Sequence, residues 1–152
     1  MRKIVLSAMF MIVGLLFVAQ TNAQSVSGSL NTPRKGRVSY GYVVLNIPKG
    51  LHVNSNNPRS KYAVATAVTV SGSGVRTYGI TYPTGRMRKF EFSNDPISVY
   101  EGRTVIRFKV SVPKNYRGKT VTLKARVRYQ ACTEEVCYAP KTETLNITAS
   151  IK

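Results

Sequence analysis

Thr120-Val121-Thr122-Leu123-Lys124-Ala125-Arg126-Val127-Arg128-Tyr129 alternates without a break, apolar at every odd number and polar or charged at every even one. A strand sends successive side chains to opposite faces, so this run describes a strand with one buried and one wet face. Just upstream, Ile106, Phe108, Val110 and Val112 alternate with Val105, Arg107, Lys109 and Ser111 in the same way. Fainter strand patterns occupy residues 38–47, 62–70, 75–82, 89–92 and 145–151. Turn formers separate them: Pro48-Lys49-Gly50, the stretch 54–58, residues 71–74, 83–85 and 93–96, and Pro113 to Gly118. No window carries a helical stripe of more than two turns. Seven or eight short strands predict an all-β chain, an immunoglobulin-like antiparallel β-sandwich. A small barrel is the competitor, and strand spacing does not separate the two.

Working outward, the first residues read as an address. Arg2 and Lys3 precede an apolar run from Ile4 to Val18, and Thr21-Asn22-Ala23 supplies small residues for a signal peptidase. The apolar run is short of the roughly 20 residues that cross a bilayer. A retained anchor is therefore the weaker reading of Met1–Ala23. The expectation is a cleaved secretory signal, residues 1–23, and one soluble domain, residues 24–152, in the periplasm or secreted. In such an oxidising compartment a pair of thiols is by default a disulfide.

The chain carries 23 Lys+Arg against 6 Asp+Glu, a formal net charge of +17, and cleavage would remove two of those positive charges. One histidine and two cysteines exclude a four-ligand zinc site built from Cys and His. No Walker loop, GxGxxG turn or GxSxG elbow occurs. Arg103, Arg107, Lys109, Lys124, Arg126 and Arg128 take outward positions on two successive strands, which would form one cationic face if those strands were neighbours. In an immunoglobulin topology they fall on different sheets. Such a surface suits an acidic protein, an anionic lipid or a polyanion, or serves only to keep the domain soluble. No stacking motif supports nucleic-acid binding. His52 has no Cys, Asp or Glu near it in sequence and reads as a turn-edge histidine hydrogen-bonded to backbone. Asn146-Ile147-Thr148 fits a glycosylation acceptor but falls inside an expected strand.

The strand that ends at Tyr129 runs into Gln130-Ala131-Cys132-Thr133-Glu134-Glu135-Val136-Cys137-Tyr138-Ala139-Pro140 before another begins near Thr142. The residues between the cysteines suffice for a hairpin loop that brings the two α-carbons within disulfide reach. So short a loop gains only about 2 kcal/mol from being closed. That is little for a domain able to bury a real core, and it favours chemistry over stapling. Most cysteine pairs in small secreted domains are nevertheless structural. Glu134 and Glu135 disfavour a thiolate while the cationic domain favours one, so both readings stay open.

Tyr129-Gln130-Ala131-Cys132 and Cys137-Tyr138-Ala139-Pro140 resemble the active-site hairpin of the N-terminal periplasmic domain of the thiol:disulfide interchange protein DsbD. The pattern there is Tyr-Gln-x-Cys followed by Cys-Tyr-Pro-Pro, and Ala139 stands in place of the first proline. Gly50 to Pro58 resembles a segment of stand-alone members, and Phe90-Glu91-Phe92 with Val99-Tyr100-Glu101-Gly102 resembles the cap-loop stretch. The resemblance implies an immunoglobulin-like fold and a reversible Cys132–Cys137 pair, with Cys137 engaging client disulfides and Cys132 resolving the mixed disulfide. It implies Phe92 as the cap aromatic and Tyr138 as a neighbour of the sulfurs. It also implies a membrane thiol–disulfide electron transporter as donor, here on a separate chain, and periplasmic thioredoxin-like clients. Exchange needs no metal, cofactor or built-in base. The alternative is a non-enzymatic basic binding module with a structural disulfide.

Overall fold

The protein's structure, a computed structural model, describes residues 24–152; the expected signal Met1–Ala23 lies outside them. The alternating segment quoted above forms β9 (Thr120–Tyr129), with every odd-numbered side chain buried. It lies between β11 (Lys141–Ser150) and β4 (Ala67–Gly72) in an antiparallel three-stranded sheet. Facing it is a four-stranded sheet in the order β1 (Ser25–Leu30), β2 (Val38–Asn46), β8 (Arg103–Ser111), β5 (Arg76–Thr81). Val43 and Leu45 of β2, Ile106, Phe108 and Val110 of β8, and Val121 to Val127 of β9 meet between the sheets in one apolar core. The chain is an all-β, immunoglobulin-like antiparallel sandwich, as the alternation predicts.

A third, smaller sheet closes one end in the order β10 (Ala131–Cys132), β3 (His52–Asn54), β7 (Ile97–Tyr100), β6 (Arg86–Arg88). Three of its strands continue strands of the sandwich. β2 passes into β3 through a turn at Gly50 (φ 85°), β7 passes into β8 at Gly102 (φ 61°), and β9 passes into β10 across Gln130. The sandwich thereby aims the cysteine segment, because β10 cannot move without β9.

Two expected strands are revised. The segment 62–70 becomes a strand only from Ala67, because Val64 and Thr66 give their polar groups elsewhere. The Val64 N–H donates to Gln130 Oε1 at 3.2 Å and Thr66 Oγ1 donates to the Asn54 carbonyl at 2.6 Å. The segment 89–92 is a turn, closed by Ser93 N–H to the Phe90 carbonyl at 3.2 Å, and the ladder lies just before it in β6. The alternation of Phe90 and Phe92 reflects ring stacking and not a sheet face. The six outward cations also divide. Arg103, Arg107 and Lys109 lie on β8, whereas Lys124, Arg126 and Arg128 lie on β9 in the opposite sheet, so no single face unites them.

Within the core, Gly41 of β2 stands directly opposite Phe108 of β8. A Cβ at that position would fall 2.1 Å from the Phe108 ring, which is fully buried and has no room to retreat. Gly41→Ala is therefore expected to destabilise the fold by about 1–3 kcal/mol through overpacking. Chemical denaturation will check it, and Gly41→Ala/Phe108→Leu should recover part of the loss.

Candidate functional site

β9 leads directly into the site. Tyr129, its last residue, is buried and donates its hydroxyl to Glu143 of β11. Desolvation, together with that carboxylate, pushes the phenol well above the usual tyrosine range. Gln130 follows, and its carboxamide joins four chain segments. Oε1 accepts from Asn54 Nδ2 at 3.0 Å and from the Val64 N–H at 3.2 Å, while Nε2 donates to the Tyr138 carbonyl at 3.1 Å. Asn54 Nδ2 also donates to the Val64 carbonyl at 3.2 Å. These bonds fix the base of the hairpin to β3 and to the loop ahead of β4.

Above this base a disulfide joins Cys132 and Cys137, whose α-carbons are 4.0 Å apart. The loop between them is held by Thr133. Its N–H donates to the Val136 carbonyl at 2.8 Å, and its Oγ1 accepts the N–H groups of Glu135 and Val136 at 3.2 and 3.1 Å. The Tyr138 N–H then closes on the Ala131 carbonyl at 2.9 Å. The two cysteines differ in access. Cys132 is completely buried, whereas Cys137 is exposed and lines a small cavity of about 170 Å³. Phe92, Tyr62, Asn54 and Gln130 line the same cavity. Tyr138 is half-exposed beside Cys137 in the chain.

Phe92 ends an aromatic column. Its ring stacks on Phe90 with centroids 5.1 Å apart, and Phe90 stacks on His52 at 4.3 Å. His52 is directly opposite Cys132 in the β3–β10 ladder, so both side chains leave the same face of that pair. His52 is thus not the backbone-bonded turn residue expected from the sequence. It is 2% exposed, and its Nε2 has no hydrogen-bond partner. Burial lowers its pKa from 6.5; Glu134 and Glu101 oppose the shift more weakly, and Arg88 reinforces it. Arg88 links the column to the hairpin. Its guanidinium lies 5.8 Å from the Phe90 ring centroid, pairs with Glu101, and reaches Glu134 in the disulfide loop at 2.9 Å.

Of the residues the sequence points to, the structure brings Cys137 and Phe92 to one cavity and bonds Cys132 to Cys137; His52, Gln130, Arg88 and Tyr62 are not among the site residues the sequence suggests. Gln130 was legible as part of a motif, whereas no local pattern marks the other three.

The family model described as "Thiol:disulfide interchange protein DsbD, N-terminal" matches residues 30–149. The chain belongs to that family. No curated protein matches it in sequence. Among solved structures it is similar to the N-terminal periplasmic domain of ScsB from Proteus mirabilis, with a TM-score of 0.54 at 13% identity over 86% of this chain. This chain spans about half, 48%, of that one, and the likeness is one of fold. The GAE domain of yeast GGA1 aligns over 85% of this chain and 94% of its own at 13% identity, with a TM-score of 0.46.

A buried neutral imidazole opposes acidification. Above about pH 6.5 both folded and unfolded chains hold His52 neutral; below it the unfolded chain takes up a proton that the folded chain resists. Stability is therefore expected to fall as pH drops through that value toward the lowered folded pKa. His52→Phe, which keeps a ring against Phe90, should flatten the slope between about pH 7 and 5.5. Urea titrations across that window measure the difference.

Proposed function

We propose that residues 24–152 act as one exported domain, periplasmic or secreted after removal of the signal near Ala23, that carries out thiol–disulfide exchange through Cys132 and Cys137. In this reading it relays electrons from a separate membrane thiol–disulfide transporter to oxidised thioredoxin-like clients. The observation that carries the proposal is the unequal access of the two cysteines in a loop-tip disulfide: one is buried against the ladder, the other opens on a cavity. Membership of the interchange-protein family supports the same chemistry.

Exchange requires a thiolate in line with a disulfide sulfur. In the reduced domain the exposed Cys137 thiolate attacks one client sulfur, and the other client sulfur leaves with the electron pair and takes up a proton. The Cys132 thiolate then attacks Cys137 Sγ, closes the domain's disulfide and releases the first client sulfur, which is protonated in turn. Two electrons and two protons have then passed to the client. A dithiol on the donor chain reverses the sequence and restores the reduced pair. Phe92 serves as the shield at the cavity mouth, with Tyr138 beside it, so that a small oxidant meets a ring before it meets sulfur. The cations Arg103, Arg107 and Lys109 on one sheet, and Lys124, Arg126 and Arg128 on the other, would speed encounter with an acidic partner.

The reduction potential of the pair is expected above roughly −250 mV, in the range of exchange proteins, when set by graded thiol/disulfide buffers and read by alkylation and mass. A midpoint below about −300 mV would assign the bond a structural role and leave a basic binding module. Cys132→Ser should accumulate a mixed disulfide with a thioredoxin-like client, and Cys137→Ser should form none. Phe92→Ala is expected to speed reduction of the oxidised domain by a small thiol several-fold while leaving the midpoint in place. Stopped-flow kinetics against the same reductant provide the check.

A further inference from the structure

The pole opposite the disulfide has a chemistry of its own. Three segments converge there: the connection from β1 to β2, the residues just ahead of β9, and the residues after β11. Backbone bonds lace them together, with Lys152 N–H to the Pro33 carbonyl at 3.0 Å, Ile151 N–H to the Lys119 carbonyl at 2.9 Å, and Gly36 N–H to the Val112 carbonyl at 2.7 Å. Between them opens a cleft of about 820 Å³ lined by Arg34, Lys35, Arg37, Lys119 and Lys152. No Asp or Glu side chain lines it. None of these five cations has an ion-pair partner among the described residues.

The acids all lie elsewhere. The chain's six are Glu91, Asp95, Glu101, Glu134, Glu135 and Glu143. Glu134 and Glu135 sit in the disulfide loop, and Glu101 shares Arg88 with Glu134. Glu143 binds Tyr129, and Glu91 and Asp95 precede β7 beside the aromatic column. β9 connects the two poles: Thr120 lines the cleft, and Tyr129 adjoins the hairpin. At about 3.3 Å per residue they are roughly 30 Å apart.

We infer that this pole, lined by cations and by no Asp or Glu, docks on the surface of an anionic phospholipid bilayer, holding the cysteine hairpin on the side away from the lipid. Like charges confined to one concave site repel one another until anions neutralise them, and a plane of headgroup phosphates supplies several at once. Lysine and arginine supply the charge and the N–H donors a phosphate needs. No aromatic ring lines the cleft for a base to stack on, which sets nucleic acid aside. The segregated acids then fix orientation, because turning the molecule over would present carboxylates to the headgroups. The inference rests on charge distribution and is independent of the redox reading.

The probe is vesicle co-sedimentation of the exported protein with phosphatidylcholine vesicles, with and without about 30% phosphatidylglycerol. Binding is expected only with phosphatidylglycerol, and is expected to collapse as salt approaches 1 M, where screening shortens to about 3 Å. Removing three charges as Arg34→Gln/Arg37→Gln/Lys119→Gln should weaken partitioning on the order of 100-fold. The equal-charge control Lys124→Gln/Arg126→Gln/Arg128→Gln should change it only a few-fold. Should the cleft triple fail to fold, the single exposed change Lys35→Glu is expected to weaken binding roughly 30-fold. Equal losses in cleft and control variants would overturn the site in favour of net charge. Absence of vesicle binding, or preference for soluble polyphosphate or an acidic protein over vesicles, would overturn it as well.

Discussion

The site depends on one side chain that accepts two hydrogen bonds and donates a third. Gln130 sits where β9 leaves the sandwich, and its carboxamide is the point at which β3, the loop before β4 and the return strand of the hairpin are tied together. An amide suits this position because it offers acceptor and donor together. A glutamate could take the two bonds to Oε1 and would then face the Tyr138 carbonyl with a second acceptor. A leucine would leave the Asn54 amide and the Val64 N–H, both in a largely buried setting, without a partner. The register that sets Cys132 opposite His52 follows from this anchorage, and so does the turn that returns Cys137 to within disulfide distance.

How far the sequence could be read depends on how local the cause is. β8 and β9 were legible because a strand with one wet face must alternate, and their buried sets, Ile106–Phe108–Val110 and Val121 through Tyr129, are the expected ones. The end sheet was not legible. β3 and β7 are buried on both sides, so His52–Asn54 and Ile97–Tyr100 show no alternation, and β10 is only two residues long. Phe90 and Phe92 misled for the converse reason: stacking of Phe90 on His52 and of Phe92 on Phe90 reproduces the period of a strand without a ladder. The hairpin was read through its motif. The environment of His52 and the reach of Arg88 across two strands are properties of the assembled fold, and nothing in the neighbouring residues announces either.

Electrostatics on the redox side run through Arg88. It is partly exposed, lies against Phe90, and divides its guanidinium between Glu101 at the β7–β8 bend and Glu134 in the disulfide loop. Exposed pairs of this kind add little stability. Their consequence is geometric: the strand that leads into the aromatic column and the loop that carries the sulfurs share one cation. The column itself is held by the burial of Phe90 and its stacking on His52, and the Glu134 contact adds a tether between it and the hairpin.

The asymmetry between the cysteines follows from the pleat and from this bracing together. Cys132 is the last residue of β10, and pairing with His52 commits its side chain to the face occupied by the aromatic column, where solvent is excluded. Cys137 returns from the Thr133-braced loop to an antiparallel bridge with Cys132, at the outer edge of the end sheet, so the same disulfide is shielded on one side and accessible on the other. A hairpin flanked by strands on both edges would bury both sulfurs, and one flanked by none would bury neither. Burying both forbids attack, and exposing both gives an incoming thiolate no preferred sulfur. Setting Cys132 between His52 and Cys137, and leaving Cys137 at the edge, avoids either outcome with a strand of two residues.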